Sequence, residues 1–138
     1  MDLSHLDRFA AEVGAAEPVA IAGLGTRGGT PSGVRSVTAP SGILRIEPEE
    51  MIVECGAATP VDELAAALAE HGQRVALPGG GTVGGALAVG HGRPDQLGRG
   101  PVRDTLLQAR YVGADGVVVT AGGPTVKNVS GFDLCRLL

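Results

Sequence analysis

Val19, Ala20, Ile21 and Ala22, a run of small apolar residues suited to a strand, lead directly into Gly23, Gly25 and Gly28, which stand at the G-x-G-x-x-G spacing. That spacing normally opens a helix whose N–H groups hold a diphosphate, with an acidic residue about 20 positions on for a ribose. Here Thr30, Pro31, Ser32 and Gly33 follow, which breaks a helix, and Ile43 stands in an apolar run where the acid would be. Glu47 comes too late. The glycines therefore specify a loop without a helix, which argues against a nicotinamide-binding doubly wound sheet. Two uses remain for such a loop. Consecutive N–H groups in turn conformations make a concavity for an anion, to which Thr26 and Arg27 would add a hydroxyl and a charge. Equally, the loop can simply connect two strands.

A second glycine-rich stretch poses a similar choice. Pro78 to Thr82 make a turn, Thr82 is placed to cap a short helix, and Gly84, Gly85, Ala86, Ala88 and Gly90 give that helix a face with almost no side-chain volume. Either a flat ligand or another piece of backbone comes close to it.

The 138 residues amount to one domain's worth of chain. Only Phe9, Tyr111 and Phe132 are aromatic, so Val, Leu, Ile and Ala must fill the core. A net charge of −4 without basic clusters argues against nucleic acid. Asp2 and Asp7, with no basic stretch and no continuous apolar block, argue against a signal peptide or membrane span, so a cytoplasmic location is expected. Cys55 and Cys135 lack ligand spacing and read as reduced thiols; no metal site is expected. The sequon at Asn128 matters only in a secreted chain.

Along the chain, Asp2 is placed to cap a helix carrying Leu3, Leu6, Phe9 or Ala10, and Val13 on one face and stopped by Gly14, a peripheral cover. A clearer helix spans residues 60–71: Thr59 is the expected cap, Pro60 the first helical residue, Asp62 the acid three positions past the cap, and Val61, Leu64, Ala65 and Leu68 the stripe, with Gly72 ending it. That helix is expected to cover a small sheet made of residues 19–23 and a hairpin over 43–57. Residues 105–121 should supply strands of a second sheet around Asp115 and Gly116, both suited to positive φ.

The order of these features carries a resemblance. GLGTRGG, two strands, a Thr-Pro-started helix, LPGGGTVGGALAVG and GPVRDTLLQARYVGADGVVVTAGGPTVKNVSGFDLCRLL together resemble the FAD-binding domain of the vanillyl-alcohol oxidase or PCMH type, in particular FAD-linked subunits of the bacterial glycolate oxidase kind. The resemblance runs from about residue 17 onward. It implies an α+β fold of two small sheets covered by helices, in two subdomains over about 1–75 and 76–138. It also implies FAD contacts at Gly23, Gly25, Thr26, Arg27, Gly28 and Gly29 for the diphosphate, and at Pro78, Gly79, Thr82, Val83, Gly84 and Gly85 for the flavin end. Gly90, Val102 and Arg103 would lie close by, and Lys127, Asn128, Gly131, Phe132 and Asp133 match a segment that approaches the cofactor, with Phe132 where the family often has tyrosine.

Members with covalent flavin commonly carry histidine where Thr30 stands, so noncovalent FAD is implied. In the family, a Gly-Ser-x-Gly-Thr-Leu-Gly stretch and a cap domain follow; the resemblance therefore makes this chain an incomplete FAD-binding domain with no catalytic base of its own. The implied activity is oxidation of a small 2-hydroxy acid, with hydride passing to the flavin and electrons to an acceptor such as an iron–sulfur or second flavin subunit. The alternative is a noncatalytic chain that keeps the fold. His5 and His71 read as surface residues, His91 as structural or solvent-facing, and Asp95, Asp104 and Asp133 as isolated turn or capping acids.

Overall fold

The computed structural model describes residues 4–26, 28–123 and 135. Helix α1 (Ser4–Val13) ends at Gly14, which takes the left-handed conformation at φ 65°. None of its residues is buried, in keeping with a peripheral cover. Arg35 fastens it in place: the guanidinium donates to the carbonyls of Glu12 (2.6 Å) and Val13 (3.1 Å), two of the acceptors that a helix C-terminus leaves unpaired. The expected cap Asp2 lies outside the described residues.

Strand β1 (Val19–Ala22) pairs in parallel with β2 (Arg35–Thr38), Val19 opposite Arg35 and Ala22 opposite Thr38. This corrects the expected sheet of residues 19–23 with the 43–57 hairpin. The Arg-Ser-Val-Thr run of β2 is too short and polar to announce a strand; only Val37 turns inward, at 1% exposure. The hairpin forms as its own pair, β3 (Ile43–Glu47) antiparallel to β4 (Ile52–Cys55), with a bulge between Ile43 and Arg45. Its tip passes through Met51, left-handed at φ 54°, whose N–H donates to the Pro48 carbonyl at 3.2 Å.

Helix α2 (Val61–Ala69) buries Val61, Leu64 and Leu68 on one stripe, as its spacing predicts. Its start differs from expectation. Pro60 is the cap residue and no side chain caps the helix. The buried Thr59 hydroxyl instead accepts from Gly42 N (2.9 Å) and donates to Gly42 O (3.2 Å), tying the approach to β3 onto the start of α2. Gly72, at φ 67°, turns the chain away while Gln73 N donates back to the Leu68 carbonyl at 3.0 Å.

Helix α3 (Val83–Val89), the short α4 (Gln96–Arg99) and a 3₁₀ turn (Val102–Thr105) follow. Strands β5 (Gln108–Val112) and β6 (Val118–Gly122) then pair antiparallel. In their connection Gly116 is left-handed (φ 76°) but Asp115 is not; its Oδ1 accepts from Val117 N at 3.1 Å, a side-chain turn that serves the same reversal.

Val61, Leu64, Leu68, Leu77, Val83, Ala86 and Val102 form one buried aliphatic cluster, flanked by Ile43, Ile46, Val53 and Cys55 of the β3–β4 hairpin. Each large side chain in it contributes about 1.5–3 kcal/mol. Arg110 of β5 reaches Glu54 of β4 at 3.5 Å. Among the described residues the result is a mixed α/β arrangement with three two-stranded pairs in place of the two sheets expected. Among the described residues no helix is long and apolar enough to cross a membrane.

Candidate functional site

Two parallel strands need a crossover of about a dozen residues or more, and between Ala22 and Arg35 that crossover is the first glycine loop itself. Gly25, Gly28 and Gly33 hold φ values of 68°, 135° and 79°. Gly29 has no left-handed φ, yet a Cβ there would meet nothing within 4 Å, and the same space is open at Gly25 and Gly28. Together with β1, Gly23, Thr30 and Pro31, these three line a cavity of about 150 Å³. Its described lining carries no charged side chain. The N–H groups of Gly25, Gly28 and Gly29 enter no hydrogen bond among the described residues. A cradle of uncommitted backbone donors suits a small anion. Thr26 is exposed, and Arg27 lies outside the described residues.

The second glycine stretch abuts the first. A Cβ on Gly23 would lie 3.3 Å from Thr82 Oγ1, so the Thr82 side chain at the start of α3 packs directly against the backbone at the end of β1. As expected, the Thr82 hydroxyl caps α3 by accepting from Gly85 N at 3.2 Å. Gly80 and Gly81 are both left-handed at φ 73°. The stretch is held from the α2 side: Val61 N donates to Gly81 O (3.0 Å), and Gly80 N donates to Asp62 Oδ1 (3.3 Å). Arg93 holds its entry by donating from Nη1 to the Leu77 carbonyl at 2.6 Å.

The small face of α3 has its reason inside the chain. Gly84 N donates to Ala57 O at 2.8 Å, and a Cβ on Gly84 would lie 2.9 Å from the Ala57 Cβ. At Gly85 a Cβ would come within 3.1 Å of the capping hydroxyl. Packing, one of the two readings of that face, accounts for Gly84; at Gly85 the contact is only with the helix's own capping side chain. Gly90 closes α3 in the left-handed conformation (φ 61°). Val83 and Val102 are core residues, and Arg103 is exposed 3.9 Å from Asp104. Pro78 is half-buried, and Gly79 is exposed beside Asp62. Lys127, Asn128, Gly131, Phe132 and Asp133 lie outside the described residues. His5, His71 and His91 are all exposed.

The polar groups that fix the second stretch, Asp62 and the Arg93–Asp95 pair, carry little signal in sequence. Asp62 reads as a helix-start acid, and Arg-Pro-Asp has no periodicity. Burial opposes the charge on Asp95, but the hydrogen bond from Arg93 and the charges of Arg93 and Arg99 outweigh it and hold its carboxyl below the usual range. Burial, helped by Glu54, pushes the Cys55 thiol up, as suits an unreactive core sulfur. No group of metal-ligating side chains occurs among the described residues.

A family model for an FAD binding domain matches residues 18–122, from just before β1 to the end of β6, and takes in both glycine stretches. The chain belongs to this family. FAD is its cofactor. The FAD binding domain is 35% identical over 102 residues to glycolate oxidase subunit GlcE of Escherichia coli (strain K12), covering 70% of this chain and 29% of that protein. It is 33% identical over 122 residues to D-lactate dehydrogenase of Archaeoglobus fulgidus, covering 84% of this chain and 28% of the other. The chain thus spans less than a third of either relative's length. FAD joins its two halves through a diphosphate, and the first-loop cradle fits that group: open at Gly25, Gly28 and Gly29, and lined by uncommitted N–H donors.

Proposed function

We propose that this domain holds FAD noncovalently across its two glycine stretches and serves an oxidoreductase that oxidises a small 2-hydroxy acid. The observation that carries the reading is the contact of Gly23 with the Thr82 side chain, which brings the two stretches side by side. The backbone of Gly23, Gly25, Thr26, Gly28 and Gly29, with Arg27, would hold the diphosphate. Pro78, Gly79 and Thr82 would face the flavin end, with Gly90, Arg103, Asn128 and Gly131 nearby. The two stretches fall one in each of the subdomains proposed over about 1–75 and 76–138.

When bound, FAD supplies a hydride acceptor. The chain's own residues bind, orient and shield it. Thr30 offers no imidazole for a covalent link, which supports noncovalent attachment. The substrate class rests on the two relatives, whose names specify glycolate and D-lactate, both 2-hydroxy acids. That one of them is named a subunit supports action within a larger oxidase; an iron–sulfur or second flavin subunit would take the electrons. No described residue is assigned as the base: Asp95 and Asp104 are both in ion pairs.

Titration of FAD into the purified chain, followed by flavin fluorescence, tests the reading. Saturable binding is expected, with all the flavin released by acid or heat. Flavin remaining on the denatured chain in a gel would overturn the noncovalent assignment, and absence of binding would overturn the site.

A further inference from the structure

Arg93 stands in the loop after α3 and makes bonds in two directions at once. Its Nε and Nη2 each donate at 2.9 Å to one oxygen of Asp95, a fork-to-fork pair, while Nη1 donates at 2.6 Å to the Leu77 carbonyl. Arg99 adds its Nε to Asp95 Oδ2 at 2.8 Å. The arginine side chains are only 28% and 27% exposed. Leu77 is a core residue, and Pro78 follows it directly. The guanidinium therefore links the anchored start of the second glycine stretch to the far end of the excursion that carries α3. The other side of that stretch is pinned by Asp62 and Val61 of α2.

We infer that Arg93, oriented by Asp95, is a positioning residue that sets the entry of the Pro78–Thr82 loop and, through it, the surface offered to the flavin half of FAD. The inference rests on the proposed placement of the flavin at that loop. A planar guanidinium suits the task because the fork to the carboxylate fixes its plane, and its remaining donor is then aimed. A lysine ammonium is a single point of charge without that fork, so it cannot satisfy Asp95 bidentately and still hold the Leu77 carbonyl.

The test compares the wild-type chain with Arg93→Lys and Asp95→Asn in three measurements: FAD affinity, ADP affinity and amide hydrogen exchange. ADP carries the diphosphate but no flavin, so it reports on the first loop alone. Both variants should bind FAD about tenfold more weakly, the size of one lost hydrogen-bonded position, with ADP affinity unchanged. Exchange at Gly80, whose N–H donates to Asp62 Oδ1, should quicken while Leu64 and Leu68 of α2 stay protected. Wild-type FAD affinity and loop exchange in both variants would overturn the inference. So would a parallel loss of FAD and ADP binding with a lowered Tm, which marks general destabilisation. If the wild-type chain takes neither ligand but Arg93→Lys still quickens exchange at Gly80, the loop clamp stands and the cofactor placement fails.

Discussion

Replacing Gly29 with valine separates a cavity built for a ligand from a loop that merely connects strands. Nothing within the described chain requires glycine there, since its φ is outside the left-handed range and a Cβ would meet no atom within 4 Å. Folding stability should therefore be unchanged or raised by about 0.4–1 kcal/mol, through the narrower unfolded state. Ligand binding should respond in the opposite sense. Three carbons would enter a cavity of about 150 Å³ whose backbone donors are otherwise uncommitted. If a diphosphate loses two of those N–H bonds, at about 1.5–3 kcal/mol each for a charged acceptor, FAD affinity falls by roughly 3–6 kcal/mol, or about 10²–10⁴-fold. Gly25→Ala is the contrasting variant: Gly25 is at φ 68°, so alanine should cost about 1–2 kcal/mol of stability. Flavin fluorescence titration and thermal unfolding of all three chains make the comparison. Wild-type FAD affinity in Gly29→Val would refute the assignment of the cavity, and a Tm as low as that of Gly25→Ala would refute the claim that the space is open.

Thr59→Val removes the buried hydroxyl that bridges Gly42 N and O, and urea denaturation should show a loss of about 1–3 kcal/mol from the orphaned N–H. Met51→Gly relieves a left-handed non-glycine residue at the hairpin tip and should raise stability by up to about 1 kcal/mol in a thermal melt. Burial raises the folded-state pKa of Cys55, so its contribution is full below the unfolded thiol value near 8.5 and is lost as pH rises through the folded value. Urea midpoints should therefore fall as pH rises above about 8.5, and the fall should be smaller in Cys55→Ala.

Helix α2 and the two hairpins are legible in the residues because their signals are local: an apolar stripe, alternating runs, a glycine at each stop. Thr59 shows where local rules mislead. A threonine before Pro60 satisfies the rule for a helix cap, yet in the fold its hydroxyl serves Gly42, which no pattern within one turn of helix could reveal. The small face of α3 is ambiguous for a related reason: missing side chains mark a close approach without naming what approaches, and Ala57 supplies the answer for Gly84. Arg93 and Asp95 are two charges in a loop until the Leu77 carbonyl is brought beside them.

The strand hidden from the sequence, β2, bears most on function. Its four residues have no strand signature of their own and are defined by pairing with β1. That pairing makes the first glycine loop a parallel crossover, a connection that is usually an α-helix. A helix there would spend most of its N–H groups on its own carbonyls and leave free donors only in its first turn. With Pro31 and the surrounding glycines forbidding a helix, the described loop closes one turn, from Val34 N to Pro31 O, and the donors at Gly25, Gly28 and Gly29 stay available along its length. The residues that argue against a helix-based diphosphate site are thus the ones that leave N–H donors free for the diphosphate site proposed above, along a glycine loop instead of at a helix terminus.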